Sequence, residues 1–186
     1  MQKVLFSFLS CALFFTACKT ADPATKSPVT AAPVQFFSDA DAVKSNLNCA
    51  GKVFPTQYRL LSVNYAALRQ FLVRQGPTPG ELSTDTLVLA IPMPDGTHEN
   101  FVISQIRVLA TELAAKFPEI KTYSGKSKVH PTSTIRVDIS PQGFRAMVQS
   151  EAGALLVDPW CRNDTVHVIS YYRKYLPENT KEDFEK

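Results

Sequence analysis

The sequence that decides the fold lies between Leu113 and Phe144. It consists of Leu113-Ala-Ala-Lys-Phe-Pro-Glu-Ile-Lys-Thr-Tyr-Ser-Gly125, a polar loop, and Thr134-Ile-Arg-Val-Asp-Ile-Ser-Pro-Gln-Gly-Phe144. The pattern predicts the end of a helix, a strand, a loop, a second strand and a tight turn. The second strand is the clearest, because apolar and polar residues alternate strictly along it. The stretch contains no nucleophile and no set of metal ligands that would identify an enzyme.

Three further strands are predicted after this stretch, at residues 144–149, 154–157 and 166–172. The turn at 140–143 has Pro and Gly at positions that a tight turn favours. Consecutive strands with short connections favour an antiparallel meander.

The chain before Leu113 predicts a strand at 58–65, a helix at 66–74 and two strands at 86–91 and 99–106. The last two strands form a hairpin around an Asp-Gly pair. Pro92 indicates that this hairpin contains an edge strand and a loop longer than two residues. A second short helix is expected at 111–117.

These elements together predict an α+β fold, with a mainly antiparallel β-sheet meander of about seven strands and two short helices. The domain is expected to span residues 51–177 and to be followed by a solvated tail at 178–186. In a chain of 186 residues, this is one domain that is large enough to bury a core.

A short segment before the domain begins with Phe36 and Phe37. Ser38 is expected to cap a helix with Asp39 and Asp41 in its first turn, where the helix dipole favours acidic side chains. Such a helix is too short to be stable alone, so we expect the two Phe side chains to dock it on the domain.

Residues 1–17 predict a lipoprotein signal peptide. The apolar segment 4–16 is shorter than the roughly 20 residues that cross a bilayer, and Lys3 supplies a positive charge before it. The sequence Phe15-Thr16-Ala17-Cys18 resembles a lipobox, although Phe15 stands where Leu is usual. An ordinary secretory signal with an incidental cysteine is the alternative.

Acylation of Cys18 would anchor the exported protein to a lipid bilayer, in the bacterial outer membrane or elsewhere in the cell envelope, since two acyl chains give stable attachment. The leaflet stays open. Residues 18–50 are expected to form a lipid-anchored flexible tether, because the part rich in Pro, Ala, Thr and Ser buries little apolar surface.

Cys49 and Cys161 remain after the signal peptide is removed and Cys18 is acylated. An even pair in an exported protein favours a disulfide, which would stabilise the domain by roughly 4 kcal/mol in the chain-entropy model. The alternative is two free thiols, one of them a ligand to a partner's metal.

The charged residues exclude one class of function. The formal net charge is +3, and the basic residues are scattered along the chain rather than clustered. We therefore expect no nucleic-acid binding.

The histidines form no recognisable zinc or catalytic site in the sequence. His98 begins a partial match to His-Glu-x-x-His, but Val102 occupies the position of the second ligand. His130 and His167 are distant from it along the chain. Cys161 and His167 bracket a polar turn without an oxyanion-hole signature. We expect no enzymatic activity, no metal and no cofactor.

Two aromatic segments each allow two interpretations. Trp160 either caps the sheet core or contacts a partner, since Trp is frequent in interface hot spots. The segment 171–175 combines Tyr with Arg and Lys, which favours a strand with one packed face over a surface for base stacking.

Several segments, in this order, resemble the N-terminal, propeptide-like region of secreted bacterial reprolysin-type zinc metalloproteases. The resemblance covers roughly residues 57–176 and is carried by Leu113–Gly125, Thr134–Met147, Asp158–Trp160 and Ile169–Lys174, with similar pieces at Tyr58–Leu72 and Pro92–Gly96. In this family the region helps the protease to fold and covers it before maturation. Within these segments the candidates for contact with a partner are Tyr123, Arg136, Phe144, Arg145 and Trp160.

Two positions depart from the family pattern. The loop at 126–130 lacks an acidic pair, and Arg145 stands where the family pattern has His. The zinc-binding helix of the family has no counterpart in this sequence, so the resemblance implies no protease activity here.

The resemblance leads us to expect a non-catalytic envelope lipoprotein that binds a separately encoded zinc metalloprotease, as an inhibitor or folding aid, or another envelope protein. A truncated remnant of such a protease is one alternative. A scaffolding or adhesive surface lipoprotein is another, favoured by the tether and the aromatic strand.

Overall fold

The structure, a computed structural model, describes residues 35–40, 49, 52–73 and 86–177. The described residues all belong to one compact unit. The predicted signal peptide, Cys18, most of the predicted tether and the tail at 178–186 lie outside the described residues.

The described residues form one sheet of nine antiparallel strands, in the order β1-β2-β9-β8-β7-β6-β5-β4-β3. Two α-helices, α1 (Tyr65–Val73) and α2 (Thr111–Lys116), and a 3₁₀ turn (Arg173–Tyr175) complete the fold. The strands are β1 (Phe37–Asp39), β2 (Arg59–Val63), β3 (Leu87–Pro92), β4 (His98–Ile106), β5 (Lys121–Ser127), β6 (Thr134–Ser140), β7 (Gly143–Ser150), β8 (Gly153–Pro159) and β9 (His167–Tyr172).

The predicted α+β class and the meander are confirmed. From β4 to β9 each strand pairs with the strand that precedes it, and β3 with its Pro92 lies at the end of the strand order, as predicted. The β6–β7 turn is as short as the sequence indicates, since Ser140 pairs with Gly143. Gly143 has φ +120°, and a Cβ there would lie 2.8 Å from the Asp164 carbonyl oxygen. Only glycine fits this position without strain.

One face of the sheet, which we call the inner face, carries the core. In β6 the alternation has the predicted outcome: Ile135, Val137 and Ile139 are buried, whereas Arg136 is exposed. Directly opposed residues of an antiparallel pair share a face, so the core continues across the strands. Its fully buried side chains include Leu61, Leu89, Phe101, Ile103, Tyr123, Phe144, Leu155 and Val157.

Helix α1 packs on this core at its predicted spacing. Leu68 and Leu72, one helical turn apart, are fully buried. Asn64 precedes the helix, and its side-chain oxygen accepts a hydrogen bond from the Ala67 amide at 3.1 Å, which caps the first turn. The Tyr123 hydroxyl donates to the Leu72 carbonyl oxygen at 2.9 Å and so joins the end of α1 to the sheet.

The part of the expected helix at 41–47 lies outside the described residues, but its predicted start at Ser38 is corrected by residues 37–39. These residues form strand β1, and Phe37 pairs with Val63 of β2. Both Phe36 and Phe37 are buried as expected; the Phe37 ring lies 5.3 Å from that of Phe144. Burial of two adjacent aromatic side chains requires an extended backbone with partners on both sides, and this outweighs the weak capping signal of Ser38.

The predicted disulfide between Cys49 and Cys161 is confirmed, with a Cα–Cα distance of 4.9 Å and a sequence separation of 112 residues. It attaches the segment 52–58, which we call the strap, to the loop after β8. The Lys52 ammonium donates to the carbonyl oxygens of Pro159 and Trp160, at 2.9 Å for Trp160. Burial lowers the pKa of Lys52.

Arg59 joins two parts of the sheet that are distant in the strand order. Its guanidinium donates to both carboxylate oxygens of Asp39, at 2.6 and 2.9 Å. It also donates to the carbonyl oxygens of Met93 and Thr97 in the β3–β4 loop, at 3.0 and 3.1 Å. The buried Ser170 hydroxyl donates to the Pro92 carbonyl oxygen at 2.7 Å in the same place. The β3–β4 hairpin therefore returns to β2 and β9.

Candidate functional site

The residues with catalytic potential in the sequence have structural roles here. Cys161 is disulfide-bonded and therefore does not offer a thiolate nucleophile. The buried Asp164 carboxylate accepts hydrogen bonds from the amides of Val166 and His167, and its second oxygen lies 3.3 Å from His167 Nδ1. His130 Nδ1 lies 3.1 Å from a Glu99 oxygen. Among the described residues, no three His, Cys, Asp or Glu side chains lie close enough together to hold a metal ion.

Tyr123 and Phe144 do not contact a partner through their side chains in this fold, which corrects that expectation for both. They are 1% and 0% exposed and belong to the inner-face core. Burial raises the pKa of the Tyr123 hydroxyl to about 12. In a single sequence, an aromatic residue at an alternating position looks the same whether its face is covered or open.

Arg136 and Arg145 lie on the opposite, outer face of the sheet, and both are exposed. Arg145 donates to an Asp158 oxygen at 3.1 Å and is the pairing partner of Asp138 on β6. The Tyr171 hydroxyl donates to the other Asp158 oxygen at 2.8 Å. Burial, together with the Asp158 carboxylate, raises the pKa of Tyr171. The Arg145 guanidinium is thus held by the Asp158 carboxylate, whereas no hydrogen bond or ion pair involves the Arg136 side chain among the described residues.

The structure fits neither interpretation of Trp160 completely, since the residue neither caps the inner-face core nor is fully exposed. Its ring lies 4.8 Å from the Phe54 ring and 5.7 Å from the Tyr58 ring, measured between centroids. It is half-buried, and it packs on the strap rather than on the inner-face core. Lys52, which donates to the Trp160 carbonyl oxygen, has Arg145 and Asp158 as electrostatic neighbours, whereas no ring contact or hydrogen bond joins Trp160 directly to Arg136 or Arg145 among the described residues.

An apolar surface at the β4–β5 connection is the feature that the sequence did not reveal. We call it the α2 surface; helix α2 has no buried residue. It contains four large apolar side chains that are exposed by 36–56%: Val108, Leu113, Phe117 and Ile120. Leu113 and Phe117 are four residues apart, and the Phe117 amide donates to the Leu113 carbonyl oxygen at 3.0 Å, so both side chains share one face.

The apolar spacing of Leu113 and Phe117 was the available signal for this surface. That spacing is typical of a helix face that packs on the core. Here the sheet core is already filled by α1 and by the aromatic residues of the strands, and the α2 face stays uncovered. Leu113 and Phe117 therefore form an exposed apolar pair on one helix face, and exposed apolar patches are typical of interaction surfaces.

Comparison with known proteins gives no further constraint. The chain matches no protein-family model, no curated protein and no solved structure at a significant level. None of the described helices is long and apolar enough to cross a membrane.

Proposed function

We propose that this chain is a non-catalytic, lipid-anchored protein of the cell envelope that binds a reprolysin-type zinc metalloprotease through the α2 surface. It would act on the protease as an inhibitor or a folding aid. The observation that carries this proposal is the exposure of Val108, Leu113, Phe117 and Ile120 within a single connection of the sheet.

The physical argument begins with the cost of leaving these side chains in water. Burying a large apolar side chain contributes about 1.5–3 kcal/mol relative to full exposure, and these four retain a third to a half of their surface. Helix α2 has six residues, which is too short for stability in isolation. A partner that covers Leu113 and Phe117 would bury apolar area and also support the helix.

The surroundings of the α2 surface fit an interface rim. Arg136 lies on the outer face of β6, which is separated from β4 by β5 alone. With strands about 4.8 Å apart, β6 is about 10 Å from the strand that leads into the α2 connection. An interface that buries about 800 Å² on each partner extends this far, and exposed Arg is common at such surfaces.

The choice of partner comes from the resemblance in sequence. The segment Leu113–Gly125 carries three of the four apolar residues of the α2 surface, and it is among the segments that resemble the metalloprotease propeptide region. The disulfide supports export into an oxidising compartment, where such proteases are found.

The test is a direct binding measurement between the purified chain and a reprolysin-type zinc metalloprotease that is secreted by the same cell and has lost its own propeptide. We expect saturable binding and reduced protease activity. Phe117→Ser should weaken the affinity about thirty-fold, because an interface anchor contributes 2 kcal/mol or more.

Val129→Ser is the matched control, since Val129 is 68% exposed in the β5–β6 loop. This variant should bind like the original chain. Circular dichroism would verify that all three proteins are folded. A folded original chain without saturable binding at micromolar protease would overturn the proposal, and equal losses in the two variants would exclude the α2 surface.

A further inference from the structure

A second surface combines aromatic, apolar and basic side chains from three segments of the chain. These segments are the strap (52–58), the loop 160–166 and the end of the described chain, 172–177. The Thr56 amide donates to the Tyr175 carbonyl oxygen at 2.8 Å, which joins the first segment to the third. The tilted rings of Phe54 and Trp160, 4.8 Å apart between centroids, join the first to the second, and the Cys49–Cys161 disulfide lies just before the strap in the chain. We call this the aromatic-basic surface.

Apolar side chains on this surface face water. Val53, Tyr58 and Val166 are 45%, 42% and 53% exposed. The half-buried rings of Phe54 and Trp160 lie beside Tyr58. Tyr and Trp rings present an apolar body with one polar tip, which suits a boundary between hydrocarbon and water.

The charges of the three segments have one sign at the surface. Their basic residues are Lys52, Arg162, Arg173 and Lys174, and the last three are exposed. Lys174 Nζ lies 5.5 Å from the centre of the Tyr172 ring and 5.2 Å from that of the Tyr175 ring. The one acidic residue, Asp164, is 7% exposed and is engaged by backbone amides. Within these three segments every exposed charge is therefore positive; the neighbouring carboxylates from other elements are Asp95 and Glu99 beside Tyr172, and Asp158 beside Lys52.

We propose that the aromatic-basic surface docks on the headgroup region of an anionic phospholipid bilayer and fixes the orientation of the domain on the membrane. The choice of a bilayer rests on the lipid anchor of the proposed function. Only the segment 19–34 separates Cys18 from the first described residue, and a chain of that length reaches at most about 60 Å. The domain stays within reach of the membrane, so weak surface contacts are repeated at high effective concentration. Aromatic rings at headgroup level with adjacent Lys and Arg are the composition that a bilayer interface selects.

Trp160 makes the proposal directly measurable, because the chain has a single tryptophan. Residues 18–186, with Cys18→Ser and an N-terminal histidine tag, would be attached to vesicles that contain nickel-chelating lipid. The tag supplies the tether whether or not Cys18 is acylated in the cell. The vesicles would contain phosphatidylcholine alone or with phosphatidylglycerol, each with and without lipids brominated near the headgroup, which quench tryptophan only on contact.

We expect quenching of Trp160 on vesicles with phosphatidylglycerol, and less on phosphatidylcholine. Val53→Ser with Tyr58→Ser should lower the docked fraction relative to the undocked fraction about ten-fold. Lys174→Gln should lower it about five-fold on anionic vesicles alone. Val108→Ser, which removes an equally exposed apolar side chain from the α2 surface, should leave quenching unchanged.

An absence of bromolipid quenching in the tethered, folded protein would overturn this inference, as would equal quenching in the Val53→Ser, Tyr58→Ser variant. The same protein preparation would be tested for metalloprotease binding in solution. Because that assay contains no lipid and depends on Phe117, failure of membrane docking and failure of the proposed function are separate results.

Discussion

The meander and the N-terminal corner of this sheet are held together in different ways. In the meander, β3 to β9, each strand after β3 pairs with its predecessor, and one face is a continuous apolar core. The corner consists of β1, the strap and β2, which join β9 although they precede it by about a hundred residues in the chain. Besides the buried side chains of Phe36, Phe37, Leu61 and Val63, its contacts are a disulfide, an Arg–Asp pair and lysine bonds to backbone carbonyl oxygens.

In each region, the kind of stabilising contact matches the entropic cost of closing the loop. A hairpin closes a short loop at low entropic cost, so apolar alternation is sufficient to form it. The corner closes a long loop with short strands, and β1 has only three residues. It therefore adds specific and covalent contacts to its share of the apolar core. Four experiments test this contrast, in order of decreasing expected effect.

Phe144→Ala should have the largest effect, because it opens a cavity in the meander core. Phe144 is fully buried, and such a truncation costs about 4 kcal/mol of unfolding free energy. Denaturant unfolding would measure it. Arg145→Ala, the next residue on the outer face, is the matched control and should lose less than about 1 kcal/mol. Similar losses in the two variants would contradict the assignment of the faces.

Removing the disulfide by Cys49→Ala with Cys161→Ala should destabilise the corner. The bond closes a loop across 112 residues, and its loss should cost about 3 kcal/mol. We expect the far-ultraviolet spectrum of the folded variant to remain that of the meander, while thermal unfolding begins earlier. Cys18→Ser should have no effect on the melting curve. A melting curve for the double variant that overlays the original would show that the corner does not depend on this bond.

Tyr123→Phe probes the meander core at alkaline pH. Burial raises the pKa of Tyr123 to about 12 in the folded protein, whereas the unfolded value is about 10. Between these values the unfolded chain has lost the proton and the folded chain retains it, so stability falls as pH rises. Between pH 10 and 12, the free energy of unfolding of the variant should fall by about 2 kcal/mol less than that of the original chain. Tyr58→Phe, at an exposed tyrosine, is the control. Parallel alkaline curves for original and Tyr123→Phe would contradict this role.

Asp39→Asn should have the smallest effect, since it removes one exposed ion pair from the corner. The hydrogen bond from Arg59 lowers the pKa of Asp39 in the folded protein. Its contribution is therefore complete above the unfolded pKa of about 4 and is lost as the pH falls through the lower folded value. The denaturation midpoint of Asp39→Asn should lie below that of the original chain at pH 7 and merge with it in strong acid. A constant difference at all pH values would exclude the ion pair as the cause.

The sequence was sufficient for the parts of the fold that depend on local pattern. The alternation around Ile135 and Val137 predicted β6 and its buried face, and the spacing of Leu68 and Leu72 predicted α1. The Cys pair was correctly inferred from compartment and number, although sequence separation carries no information on distance.

The sequence was insufficient where the outcome depends on which surface is covered. Tyr123 and Phe144, predicted to contact a partner, are core residues. The prediction fails here because period-two alternation does not distinguish a covered aromatic side chain from an open one. Leu113 and Phe117 have the spacing of a packed helix face and lie exposed. Ser38 has the signature of a helix cap and lies in a strand, since tertiary packing outweighs a local signal of about 1 kcal/mol.

The disulfide also sets the path of mechanical force through the molecule. When residue 35 is pulled while the sheet is held, β1 takes the load first, and its three paired residues can peel from β2. Tension then reaches Cys49 and crosses the S–S bond to Cys161 before it enters the strap, so β2 lies outside the main load path. The chain between residues 35 and 49 extends to about 50 Å at most. Peeling of β1 therefore gives the protein a limited extension that leaves the meander unstretched.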